Sequence, residues 1–180
     1  MSEDIRKMID KVKNFKQFVN EDIQNHSERY NFLIKKYNYY KEKDSTIDTK
    51  FKKEVNGVLL FDISDFMIKF NFNTTKDYRN IVKQTHDFVF DFIKNNQNKL
   101  FVGELFPSST YVANDCNTFN VKNIQLKVNR LYGDVIFVDN ELGRLSYYII
   151  KNKLMNAKFQ IMGEFEGFTN LVNINGFMIK

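Results

Sequence analysis

The sequence predicts an α+β fold: a mixed or antiparallel sheet, or a barrel, with two inserted helices, preceded by an N-terminal helical arm. Three observations predict it. All seven glycines and the single proline, Pro107, lie in residues 55–180, and the first 54 residues contain neither. Before that boundary apolar residues recur every three or four positions, whereas beyond it most apolar segments alternate with period two. Helix-period stretches interrupt those strands at two places only, so regular βαβ repetition is not expected, and no internal repeat is visible. Residues 1–54 therefore read as helical arm and linker, and residues 55–180 as one α+β domain.

A length of 180 residues suits such a body, since a chain of this size hides roughly 70% of its unfolded surface. Hydrophobic residues make up 43% and charged residues 27%, which excludes a disordered chain. Polar residues break every apolar run well short of a membrane span, and MSEDIRKMID lacks the apolar core of a signal peptide. One cysteine, Cys116, supports neither an internal disulfide nor a multi-thiolate zinc site and fits a reducing cytoplasm. The net charge of +5 is spread along the chain rather than gathered in a stripe, so nucleic acid is not an expected partner.

In the arm, Ile5, Met8, Val12, Phe15 and Val19 form one apolar stripe, with Ser2 as N-cap. The stripe falters at Asp22 and His26, and a second helical stretch resumes with Tyr30, Leu33, Ile34 and Tyr37. Residues 41–53 are charged and polar and read as a linker or frayed helix end. VLLFDI (58–63) and FMIKFNF (66–72) read as strands, the second alternating Phe66, Ile68, Phe70 and Phe72 on one face. Thr74 and Asp77 form a capping box that opens a helix with Tyr78, Ile81, Val82, Thr85, Val89, Phe92 and Ile93 inward. LFVGEL (100–105) is a buried strand ending at Pro107, and residues 108–119 read as a loop. Ile124, Leu126, Val128 and Tyr132 alternate in a strand that turns at Gly133 into DVIFVD (134–139). ELGRLSYYIIKNKLMN forms the second inserted helix, and AKFQIMGEF and NLVNINGFMI are closing strands.

Tested against the residues each reaction class requires, the chain does not read as an enzyme. The glycines are scattered, and neither a phosphate-loop nor a dinucleotide signature occurs. Only His26 and His86 could join Cys116 as soft ligands, and they fall in different elements, so no metal or cofactor is expected. His86, mid-helix beside Asp87, reads as a half-exposed helical residue rather than a base. Ser108, Ser109, Ser146 and Cys116 have no base at recognisable spacing. Ser108-Ser109-Thr110 after Pro107 reads as turn chemistry. Glu104 with Glu164 or Glu166 could pair as acid and base, but separate carboxylates carry no specific signal.

The order of motifs in residues 71–180 resembles the prohead maturation proteases of tailed phages, whose fold is akin to herpesvirus assemblin. The matching pieces are NFNTTKDYRNIV (71–82), LFVGELFP (100–107), VKNIQLKVNRLYGDVIFVDNELGRL (121–145), AKFQIMGEFEG (157–167) and NLVNINGFMIK (170–180). Gly103, Leu105, Pro107, Gly133, Gly143, Arg144 and Gly163 match the turn and packing positions of that pattern. The chemistry departs from it. The histidine that would precede Pro107 is replaced by Phe106, with the motif one residue short, and the Ser-Ser-Arg positions before Gly163 read Gln160, Ile161 and Met162.

What the resemblance implies is a protease-like body whose catalytic pair has been erased, because a serine hydroxyl is a poor nucleophile without a neighbouring imidazole. It implies a non-enzymatic virion protein acting in the phage head or connector. Its partners would be capsid, portal or scaffold protein, or further copies of itself, and it would pass through the host cytoplasm during assembly. Two readings compete with that one. The first is a divergent active protease pairing His86 with Ser108 or Ser109; the second is a small phage protein that binds and blocks a host target. The arm has two readings of its own: its stripe docks in a neighbour's groove or a coiled coil, or residues 1–40 fold back over the core.

Overall fold

The computed structural model describes residues 3–107 and 116–180, and along 9–27 it describes the backbone without the side chains. The fold is α+β, as the periodicity predicts. In chain order its elements are helix α1 (Glu3–Lys43), a single turn α2 (Thr46–Thr49), strand β1 (Glu54–Asp62), a short helix α3 (Ile63–Met67) and helix α4 (Thr75–Asn95). Strands β2 (Phe101–Leu105), β3 (Asn117–Lys127) and β4 (Arg130–Phe137) follow, then helix α5 (Glu141–Lys151) and strands β5 (Phe159–Glu166) and β6 (Asn170–Ile179).

The six strands form one mixed sheet in the order β1-β4-β3-β2-β6-β5. Every neighbouring pair is antiparallel except β2 with β6, which run parallel. The sheet is curled. Cα atoms of its two edge strands, β1 and β5, approach within 8 Å, and Phe119 of β3 meets Phe159 of β5 with ring centroids 5.4 Å apart. From Phe119 an aromatic chain continues through Phe137 of β4 and Tyr147 of α5 to Phe51 before β1. A second chain joins Phe92 of α4 to Phe101 of β2 and Phe177 of β6. Such ring pairs add about 0.5–1.5 kcal/mol each beyond the area they bury.

Several elements differ from the sequence reading. The arm is one continuous helix of 41 residues, about 60 Å long, because polar residues such as Asp22 lower helix propensity only mildly where no glycine or proline intervenes. Residues 41–53 are more than a linker: α2 buries Ile47 fully, and Leu33 and Tyr37 of α1 belong to the same core. Residues 66–72 are not a strand. Asp62 accepts a hydrogen bond from Asp65 N at 3.2 Å and so caps α3. Phe66 and Phe70 then pair at helical spacing, 5.6 Å apart, while Ile68 between them is 71% exposed. The apparent period of two concealed an i,i+4 contact.

The β3–β4 turn falls at Val128–Asn129, with Lys127 opposite Arg130, and not at Gly133. Gly133 sits inside β4 because a Cβ there would come within 2.9 Å of Leu60 and 3.0 Å of Val121. Strand β3 also starts earlier than expected, taking residues 117–119 out of the loop. There Asn117 Nδ2 donates to Gly103 O and Phe119 O, at 3.0 and 2.7 Å, supplying partners where the β2–β3 ladder is irregular. The second inserted helix stops at Lys151 rather than Asn156; Lys153 has φ of +52° and Leu154–Asn156 is a separate 3₁₀ turn.

The Ser2 cap lies outside the described residues, while the capping box and inner face expected of α4 are present. Thr74 Oγ1 accepts from Asp77 N at 3.1 Å and donates to Asp77 Oδ2 at 2.8 Å, opening α4 as the capping box predicts. Asn140 caps α5 through Gly143 N at 2.9 Å. Val82, Thr85 and Val89 are the buried face of α4.

Candidate functional site

Two of the segments on which the resemblance rests, 100–107 and 157–167, contribute strands on either side of β6. Met178 of β6 pairs with Glu104 on one side and with Gln160 on the other, and Phe177 pairs in the same way with Gly103 and Ile161. Residues 101–105 and 159–166 thus flank a single strand, roughly 10 Å apart at two strand spacings. At the end of β2, Phe106 donates its backbone N–H to Ile179 O at 2.8 Å and adopts φ of +48°. That is an uncommon conformation for a bulky side chain. Its ring packs on the core, with Lys36 Nζ 5.9 Å from the centroid. Ile161 and Met162 are buried and Gln160 is half-buried. None of these four side chains can serve as a general base or as an oxygen or sulfur nucleophile at neutral pH.

The glycines of the pattern answer to close packing. A Cβ on Gly103 would run into the Phe119 ring, and one on Gly143 would run into the carbonyl of Val138. Gly163 lies in β5 beneath Leu171, whose Cδ1 would be 2.8 Å from an added Cβ. Leu105 is fully buried and Pro107 half-buried after the strand. Arg144 is the hub of a polar cluster. Its guanidinium donates to Asp139 Oδ1 at 2.9 Å and to Asp48 Oδ1 at 3.1 Å, and lies over the Phe51 ring. Tyr37 OH donates to the same Asp48 oxygen at 2.6 Å, and Lys41 pairs with Oδ2 at 3.3 Å. Burial first, and then the bond to Asp48, pushes the Tyr37 phenol up to about 12. The Tyr37 bond first, with Arg144 and Lys41 behind it, holds Asp48 below the usual carboxylate range. This cluster joins α1, α2 and α5; sequence spacing does not reveal it because Tyr37, Asp48 and Arg144 are remote in the chain.

A second link ties the arm to β2. Arg29 Nη2 of α1 donates to Glu104 Oε1 and to Leu105 O, both at 3.3 Å, and the Glu104 side chain is 0% exposed. The acid–base reading of Glu104 with Glu164 or Glu166 does not survive this geometry. Glu104 is held by Arg29, Glu164 accepts from Asn175 Nδ2 at 3.1 Å, and Glu166 is exposed near the far end of β5. Ser146 is buried with its hydroxyl donating to Leu142 O at 2.9 Å, a structural bond. Cys116 is buried. Among the described residues no group of three or more His, Cys, Asp or Glu side chains could hold a metal ion.

Of the arm stripe, Ile5 and Met8 are 48% and 64% exposed. Val12, Phe15 and Val19 lie outside the described side chains, as do His26, Ser108 and Ser109. No helix of the described residues is long and apolar enough to cross a membrane. Sequence reasoning also missed a groove between α4 and the β3–β4 turn, about 360 Å³ in volume, walled by Arg79, Lys83 and His86 on one side and Val128 and Asn129 on the other. His86 is half-buried there with Nδ1 3.4 Å from Asp87 Oδ1, which fits the helical-residue reading. No family model, no curated protein and no solved structure matches the chain.

Proposed function

We propose that this chain is a non-enzymatic assembly protein of a tailed-phage particle, in which a protease-like body that no longer cuts makes contacts with other head or connector proteins. The observation that carries the reading is the register across β6. Two segments that resemble the catalytic strands of the prohead proteases flank one strand, and the positions of imidazole and hydroxyl hold Phe106, Gln160, Ile161 and Met162. Core packing at Phe106, Ile161 and Met162 supports a body kept for its shape. The exposed apolar pair Ile5 and Met8, at the start of a helix whose later turns are fixed to the core through Arg29, Leu33 and Tyr37, supports docking by the arm on a neighbour.

Mass spectrometry of purified particles tests this reading. A stoichiometric copy number is expected, and absence from particles would favour a protein that blocks a host target instead. A fluorophosphonate probe tests the enzymatic alternative. No covalent labelling is expected, and labelling that disappears on Ser108→Ala or Ser109→Ala would overturn the non-enzymatic reading.

A further inference from the structure

We infer that the groove between α4 and the β3–β4 turn is a docking site for an acidic, extended peptide segment of a partner protein. The inference is independent of which particle or pathway the chain serves.

Charge argues the sign of the ligand. Arg79 and Lys83 stand one turn apart on the α4 wall, both exposed, and neither forms an ion pair among the described residues. Among the described residues no carboxylate lines the groove. Asp62 is paired with Arg130 at 2.9 Å, and Asp87 lies beside His86 at 3.4 Å without lining the groove.

Spacing argues the form. Residues four apart on a helix are about 6 Å apart along its axis, and alternate residues of an extended strand are about 6.6 Å apart on one face. Two carboxylates separated by one residue therefore match the two cations. The residue between them would face the opposite wall. That wall is the hairpin tip, where Val128 is 83% exposed and adopts φ of +55°. A β-branched residue in the left-handed region is a marked outlier at a turn position that glycine favours. Its persistence at the rim of a groove is the kind of local strain that collects at binding sites. The floor is apolar, formed by Val82 and the Tyr78 ring, whose hydroxyl is turned to Ser64 O at 3.0 Å. An apolar floor and rim with two cations unpaired among the described residues suit a peptide better than a nucleic-acid backbone, which calls for a broader basic surface.

The test is fluorescence anisotropy with the full chain and a labelled peptide in which glutamates alternate with valines. Controls are the same peptide with glutamine for glutamate, and labelled oligothymidylate. Saturable binding of the acidic peptide is expected, weakened about tenfold or more by Arg79→Gln with Lys83→Gln, as the loss of one or two charge-assisted hydrogen bonds requires. Circular dichroism should show both exposed substitutions to be silent for folding. Val128→Gly should weaken binding several-fold while raising the Tm, a combination that structural damage would not produce. No binding of the acidic peptide, undiminished binding by the double variant, unchanged affinity of Val128→Gly, or tighter binding of oligothymidylate would each overturn the inference.

Discussion

Arg29 and Glu104 join the first helix to the second strand: the guanidinium approaches to 3.3 Å a carboxylate that solvent does not reach. Taking one partner away from a buried ion pair costs about 3–5 kcal/mol, because the remaining charge stays desolvated. Arg29→Met should therefore lower stability by about 3 kcal/mol. Arg29→Met with Glu104→Leu should recover more than 1 kcal/mol of that loss, a coupling that a double-mutant denaturation cycle reads directly. Simple addition of the two single effects would mean that the contact does not anchor the arm.

The Tyr37–Asp48 bond sets a pH dependence at both ends. A phenol raised to about 12 in the folded chain is held protonated more tightly than in the unfolded chain, where it titrates near 10. Its contribution is complete below about pH 10 and disappears as pH climbs towards about 12. Asp48 runs the other way: its depressed pKa contributes stability above the usual carboxylate range, lost as pH falls through the folded value. Tyr37→Phe should cost about 1.5 kcal/mol at neutral pH. The difference in Tm between wild type and variant should shrink on the alkaline side, and a pH-independent difference would contradict the assignment.

The two regions of α1 should respond oppositely to truncation. Leu33→Ala removes a buried side chain and should cost about 3 kcal/mol in denaturant unfolding. Ile5→Ser with Met8→Ser alters exposed positions and should change stability by less than about 0.5 kcal/mol for each site. If the arm docks on a neighbour, the second variant is nevertheless lost from assembled particles. Normal incorporation would remove Ile5 and Met8 from the interface.

Gly143→Ala should be more damaging than Gly103→Ala. The obstacle at Gly143 is the Val138 backbone carbonyl, which cannot move without disturbing the entry to α5, whereas at Gly103 it is the Phe119 ring. Overpacking of a core costs about 1–3 kcal/mol; thermal unfolding of the two variants should place Gly143→Ala at or above the top of that range. Equal losses would mean that the aromatic ladder is as unyielding as the backbone.

Val128→Gly should stabilise the chain by about 1 kcal/mol, the relief of left-handed strain less the backbone entropy of an added glycine. A fall in Tm would show that the Val128 side chain holds the hairpin together.

Much of the architecture was legible because local physics dictates it. Thr74 with Asp77, and the apolar spacing through Val82, Thr85 and Val89, place α4 without reference to any other element. Segment 66–72 reads as a strand in sequence because Phe66 and Phe70 satisfy a period of two and a spacing of four alike, and only the cap supplied by Asp62 separates the two. Gly133 reads as a turn because a glycine signals freedom of backbone and also absence of bulk. Gly133 is present for the second reason, which depends on Leu60 and Val121.

The amino-acid order alone determined the α+β class, the glycine-free helical start, α4 with its cap, the buried strand before Pro107 and the two closing strands, since each depends on neighbours within a few positions. Tertiary structure alone decided that β6 runs between β2 and β5, that Arg29 meets Glu104, that Arg144 gathers Asp48 and Asp139, and that Arg79 and Lys83 face Val128 across a groove. Apart from the local Arg144–Asp139 pair, those contacts join segments far apart in the chain, and such pairings follow from how the sheet curls and which faces must be buried together, a global condition that no short window of sequence encodes.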